Sequence, residues 1–163
     1  MIRRASLDDL GALTAIYNHY VEHTAITFDL EPYTVEARRP WLEAFGSRGR
    51  HQLFVAEEGG RVLGWAGTRQ FRERRAYDPS VETSVYLAPD ATGRGLGTAL
   101  YERLFAAIDG EDVHRAIAGI TLPNDASVAL HRRFGFTDVG AMREVGRKFG
   151  RFWDVLWMEK ALG

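Results

Sequence analysis

Apolar positions along the chain change period several times, and each change marks an element. Leu10, Leu13, Tyr17, Tyr20 and Val21 recur three and four apart, which predicts an amphipathic helix with one inward face. Before it, Ile2 to Ala5 reads as a short strand, and Ser6-Leu7-Asp8-Asp9 resembles a capping box with Asp in place of Glu. Val35 to Phe45 predicts a second helix, broken or split at Pro40 because proline lacks the N–H that a helix interior requires. Gln52 to Glu57 and Arg61 to Thr68 flank Glu58-Gly59-Gly60, the pattern of a hairpin with a Gly-Gly turn. Val81 to Leu87 reads as a fourth strand. Leu96, Leu100, Leu104 and Ile108 then form one stripe of a third helix starting near Gly95.

Ala116 to Ile120 is a short apolar strand, and Asn124 or Asp125 caps a last helix that ends at Phe134-Gly135, where glycine supplies a left-handed residue. Phe136 to Val145 and Phe149 to Met158 close the chain as an antiparallel hairpin. No internal repeat, low-complexity tract or linker interrupts this order, so residues 1–163 are expected to form one mixed α/β domain.

Composition narrows the picture. The 163 residues are 45% hydrophobic and 26% charged, ordinary for a globular chain with a real core. A formal net charge of −1 provides no general attraction to nucleic acid or to an anionic membrane, so neither is an expected partner. The absence of cysteine removes disulfides, thiolate metal sites and a cysteine nucleophile. No apolar signal region follows the N-terminus and no run of about 18 apolar residues occurs, which together suggest a soluble, cytoplasmic protein.

Five groups of residues could carry chemistry. Pro89 to Gly97 places closely spaced glycines between a strand and a helix, so that backbone N–H groups and the positive helix end can cradle a pyrophosphate. Strand alternation puts Val81, Thr83, Val85 and Leu87 on one face and Glu82, Ser84 and Tyr86 on the other. A mid-strand carboxylate such as Glu82 is costly to bury alone, so it is paired with an arginine, exposed in a cleft, or used as a base. Arg69, Arg72, Arg74 and Arg75 crowd the segment before that strand and could clamp a carboxylate or phosphate, or simply solvate a loop. His19-Tyr20-Val21-Glu22-His23 matches a zinc pattern but lacks a third ligand, so two histidines on a polar helix face explain it and no metal is expected. His131 could donate a proton or satisfy a local hydrogen bond.

The glycine loop, Asn124 and the Phe134-Gly135-Phe136 ending, in that order, resemble the GNAT acyl-CoA N-acetyltransferases over nearly the whole chain. Phe71 to Asp78, Val81 to Tyr86, Leu122-Pro123-Asn124-Asp125, and Lys148-Phe149-Gly150 with Trp153-Asp154 look more narrowly like the phosphinothricin N-acetyltransferase group. The resemblance implies a GNAT fold, a mostly antiparallel sheet of about seven strands flanked by about four helices. It implies that the backbone of Val85, Tyr86 and Leu87 holds the acetyl and pantetheine part of acetyl-CoA. Gly93, Arg94, Gly95, Leu96, Gly97 and Thr98 would then hold its pyrophosphate, and Asn124 its pantetheine arm. Thr92 departs from the Gln or Arg usual in the superfamily, which removes one side-chain contact but spares the backbone cradle.

The family reaction is direct attack of a neutral amine on the thioester, with Glu82 as the general base and His131, where many relatives carry Tyr, as the donor to the leaving thiolate. The acceptor implied is a small amino-acid analogue such as phosphinothricin, methionine sulfoximine or methionine sulfone. Arg72 or Arg74 would bind its acid group, and Phe28, Tyr77 and Thr83 would shape the pocket. The Lys148-Phe149 turn in this group approaches a neighbouring subunit, which implies a homodimer. The competing readings are an acetyltransferase of protein N-termini or lysines, favoured by an open acidic groove, and a non-catalytic acyl-CoA sensor.

Overall fold

A computed structural model describes residues Met1–Gly163. The chain runs β1 (Ile2–Arg4), α1 (Leu10–His23), α2 (Val35–Glu43), β2 (Leu53–Glu58), β3 (Arg61–Gln70), β4 (Ser80–Leu87), α3 (Leu96–Ile108), β5 (Arg115–Thr121), α4 (Asp125–Arg133), β6 (Thr137–Lys148) and β7 (Arg151–Ala161). The strands form one sheet in the order β1-β2-β3-β4-β5-β7-β6, antiparallel at every junction except β4–β5. Seven mostly antiparallel strands and four helices are the arrangement that the family resemblance implies.

Period-two alternation sorts the sheet into two buried faces. Val55 and Trp65, opposite each other in the β2–β3 register, pack with Leu10, Leu13, Tyr17 and Val21 of α1 and Leu42 of α2. Their neighbours Phe54 and Ala66 turn the other way, against Leu100, Tyr101 and Leu104 of α3. Asp9 accepts from the Ser6 backbone N–H at 2.8 Å, as the capping pattern predicts, and also pairs with Arg3. No helix is long and apolar enough to cross a membrane.

Two expectations need correction. Helix α2 is not broken at Pro40; one helix spans Val35–Glu43. Proline there removes a single backbone bond, and the capping Thr34 together with the buried Arg38 and Leu42 holds the short helix across the gap. Strand β6 does not stop at Val145 but continues to Lys148, leaving only Phe149-Gly150 as the turn, both with positive φ. The strand absorbs the irregularity as a bulge between Met142 and Gly146, where Asp154 accepts from the Glu144 N–H and from Arg143, each at 2.8 Å.

The feature that positions the site is a failure of pairing. β4 and β5 share only three rows, Ser80↔Arg115, Val81↔Ala116 and Glu82↔Ile117. Beyond them β4 stays with β3 as far as Gly64↔Leu87, and β5 stays with β7 as far as Thr121↔Val155, so sheet twist parts the two strands. The Tyr20 hydroxyl of α1 donates to the Leu87 carbonyl at 2.6 Å and anchors the free end of β4.

Candidate active site

A cavity of about 350 Å³ occupies the opening between β4 and β5. Glu82 to Tyr86 form one wall and Ala118 to Thr121 the other, with Asn124, Ser127 and His131 of the α4 region at one end. Successive backbone N–H groups of a strand point to alternate sides. Past Glu82, those on the β5 side of β4 therefore have no strand partner and face the opening.

Glu82 sits on the last paired row, on the α1–α2 face, as alternation predicts. Its cross-strand neighbour is Arg69, whose guanidinium approaches the carboxylate at 3.5 Å, and both side chains line the cavity. The ion-pair and cleft readings of Glu82 therefore hold together, and the carboxylate stays available to a ligand. Thr83 lines the cavity and Phe28 roofs it, the ring lying where a Cβ on Gly146 would stand only 2.2 Å away. Any side chain at 146 would collide with Phe28 and force a shift there.

His131 also lines the cavity but is only 3% exposed. The Ser127 carbonyl, 2.7 Å from Nδ1, can only accept, so Nδ1 carries the ring proton and Nε2 accepts from the Tyr101 hydroxyl at 2.8 Å. Burial pushes the imidazole pKa below its ordinary value, which keeps it neutral. The stability this contributes is complete above the unfolded-state value of about 6.5 and is lost as pH falls through the lower folded-state value. Denaturant midpoints at about pH 7.5 and about pH 5 should therefore differ more for the native chain than for His131→Gln, a single proton accounting for up to about 1.4 kcal/mol per pH unit. Equal differences would show that His131 titrates alike in the folded and unfolded chain.

The Asn124 side-chain oxygen caps α4, accepting from the Ser127 N–H at 3.2 Å, while its amide N–H₂ remains for the cavity it lines. At the far end of β4, Gly93 and Gly95 adopt φ of 73° and 76°, and Gly95 leads straight into α3. No side chain caps that helix, so its first N–H groups, at Leu96, Gly97 and Thr98, are open to an anion. The Thr92 hydroxyl turns back to the Pro89 carbonyl, and Arg94 pairs with Glu58 at 2.6 Å. Gly97 lets Leu130 of α4 approach within 3.3 Å of its Cβ position, and the same packing delivers Arg133 to Thr98, a cation beside the cradle that no local sequence signal indicates.

Arg72, Arg74 and Tyr77 do not reach the cavity wall. β3 ends at Gln70, and the exposed segment beyond it leaves the sheet. Arg72 stacks on Phe71 at 4.1 Å and donates to its carbonyl, and Tyr77 packs edge-on against the same ring. Of the arginine cluster, Arg69 is the member that enters. Lys148 is buried, its Nζ donating to the Thr27 carbonyl at 2.9 Å, so it fixes the chain's own roof instead of reaching outward. His19 and His23 lie 4.9 Å apart on α1, and no third His, Asp or Glu completes a metal-binding group.

Residues 2–157 match the acetyltransferase (GNAT) domain. The chain belongs to the GNAT acetyltransferase family. Membership makes it an acetyltransferase whose acetyl donor is acetyl-CoA. The open helix end and the gap in the sheet suit that cosubstrate's pyrophosphate and extended arm. Among sequence relatives, a phosphinothricin N-acetyltransferase of Streptomyces coelicolor is 54% identical over 99% of this chain and 95% of its own length. A structure of a GNAT phosphinothricin acetyltransferase from Sinorhizobium meliloti, in complex with acetyl-CoA, superposes with a TM-score of 0.90 at 34% identity, covering 100% of this chain and 88% of the other. A structure described as ribosomal-protein-alanine N-acetyltransferase from Brucella melitensis superposes at 0.93 with 41% identity, covering 99% of each.

Proposed function

We propose that this GNAT acetyltransferase acetylates the amine of a small acidic amino-acid analogue, phosphinothricin or methionine sulfoximine or sulfone, by direct attack on the thioester. The observation that carries the reading is the Arg69–Glu82 pair inside a cavity roofed by Phe28 and Thr27. A cation held next to a base suits an acceptor that has an anionic group close to its amine. A protein N-terminus would need an open groove, and its terminal residue carries no free carboxylate beside the amine.

In this mechanism Glu82 accepts the proton of the ammonium, directly or through water, and frees the nitrogen lone pair. The nitrogen bonds to the carbonyl carbon, and the unpaired β4 N–H groups beyond Glu82 stabilise the negative oxygen. As the carbonyl re-forms, the carbon–sulfur bond breaks, the sulfur leaves as a thiolate, and the second proton shed by the nitrogen passes to that thiolate or to water. An ordinary thiol pKa of about 8.5 means that this thiolate needs little acid help. His131, whose one ring proton is held by the Ser127 carbonyl and whose Nε2 accepts from Tyr101, has no proton to pass along that hydrogen bond and is left the role of orienting the Tyr101 hydroxyl. Gly93 to Thr98 hold the cosubstrate's pyrophosphate, and the amide of Asn124 its pantetheine arm.

A homodimer belongs to the same proposal. Strand β6 is an edge of the sheet, and Val139, Met142, Val145, Phe149 and Phe152 expose apolar side chains on the β6–β7 ribbon, a surface suited to a second copy.

A CoA-release assay against phosphinothricin, methionine sulfoximine, methionine sulfone, ordinary amino acids and an alanine-starting peptide tests the reading. Turnover is expected with the acidic analogues. Turnover confined to the peptide would transfer the assignment to protein N-termini.

A further inference from the structure

We infer that Arg38, together with Arg69, receives the α-carboxylate of the acceptor in a side alcove of the active-site cavity. The alcove measures about 30 Å³ and is lined by Arg38 and Trp41 of α2, Trp65 of β3, and Arg69, Ser84 and Tyr86. Arg69, Ser84 and Tyr86 line the main cavity as well, so the two spaces share a wall. Its size admits one water or the head of one carboxylate, not a larger anion.

Arg38 is the unusual occupant. It is 6% exposed, its guanidinium forms no ion pair or hydrogen bond, and its Nε is buried without a partner. The ring faces of Trp41 and Tyr17, at 3.9 and 4.2 Å, attract the cation but supply no in-plane acceptor to its N–H donors. The nearby carboxylates are committed elsewhere: Asp29 accepts from the hydroxyls of Tyr17 and Tyr33, and Glu82 pairs with Arg69. Trp65 Nε1 is the other buried side-chain donor without a partner, so both such atoms in the protein belong to residues lining this one alcove. Buried donors are normally satisfied, and two orphans at one small opening mark the place of an absent acceptor.

Strand register supplies the link to the chemistry. Trp65, Gly67 and Arg69 of β3 stand opposite Tyr86, Ser84 and Glu82 of β4 on the α1–α2 face. An α-amino acid carries its amine and carboxylate on one carbon. A carboxylate between Arg69 and Arg38 therefore leaves the amine beside Glu82, which Arg69 approaches at 3.5 Å. This rests on the acceptor class proposed above.

The test compares methionine sulfone with its α-carboxamide. The native enzyme should prefer the acid by about a hundredfold in kcat/KM, the worth of charge-assisted bonds to one carboxylate, and Arg38→Met should reduce that preference to within about fivefold. A second arm does not depend on turnover. Propionate, an acid without an amine, should quench tryptophan fluorescence saturably in the native protein, because Trp41 and Trp65 line the alcove, and should not do so in Arg38→Met. The melting temperature of ligand-free Arg38→Met should equal or exceed the native one, since an unpaired buried charge gives way to an apolar chain. An unchanged acid-to-amide preference, or equal propionate quenching in both proteins, overturns the inference; a lowered melting temperature with either result makes Arg38 a structural cation. Failure to acetylate any acidic analogue would sink the proposed acceptor class alone, and the propionate arm would still decide the role of Arg38.

Discussion

Glu82→Gln is expected to lower kcat about a hundred- to thousandfold at neutral pH, the range that a positioned general base contributes. Glutamine keeps the shape of the side chain, and the partner lost, Arg69, is half exposed, so the fold should lose less than about 1 kcal/mol. The KM for acetyl-CoA should hold, because the proposed cosubstrate contacts lie further along, at Val85 to Leu87 and Gly93 to Thr98. The deficit should shrink as pH rises toward the pKa of the acceptor amine, since solvent then removes the proton that Glu82 would take. Steady-state profiles with saturating amine from about pH 6 to about pH 9 check this. Full turnover by the variant across that window would refute the base assignment. A non-catalytic sensor would show no turnover even in the native chain.

Gly95→Val should raise the KM for acetyl-CoA about 30- to 100-fold while leaving kcat at saturation within a few-fold. The cause is backbone conformation: a Cβ there meets nothing within 4 Å, but φ of 76° is a left-handed geometry that a β-branched residue resists by about 1–2 kcal/mol. Relief of that strain turns the first N–H groups of α3 away from the anion they are proposed to hold, each such charge-assisted bond being worth about 1.5–3 kcal/mol. Gly95→Asn, which tolerates the left-handed region, should lose much less. Acetyl-CoA kinetics and CoA calorimetry on both variants provide the check. Unchanged affinity in Gly95→Val would reduce the loop to an ordinary turn.

Elements with strong local patterning were legible in the chain: the α1 and α3 stripes, the Gly-Gly hairpin, a helix start at Asn124 or Asp125, and the face on which Glu82 lies. The misreadings arose where tertiary packing overrides local preference. Pro40 sits in a helix held by burial on both sides of it, and the β6 bulge survives because Asp154, a partner from β7, satisfies it. Arg38 was invisible for a related reason. An arginine on a short polar helix reads as a solvated face, and only the rings of Tyr17 from α1 and Tyr33 from the segment before α2, brought over it in the fold beside Trp41 of its own helix, make it a buried cation. Tyr101 lies outside the α3 stripe of Leu96, Leu100, Leu104 and Ile108; the approach of α4 through Gly97 turns its hydroxyl into the partner of His131.

By itself the sequence determined what near neighbours decide: helix and strand periods, the glycines that permit positive φ, and a carboxylate placed mid-strand. These follow from backbone sterics and side-chain alternation within a few residues. Only the tertiary structure decided that β4 and β5 part after Glu82, which opens the cavity, and that Arg69 faces it while Arg72 and Arg74 stand outside. Strand register, sheet twist and the layering of α1 and α2 over one face set those outcomes, and each depends on contacts between residues far apart in the chain.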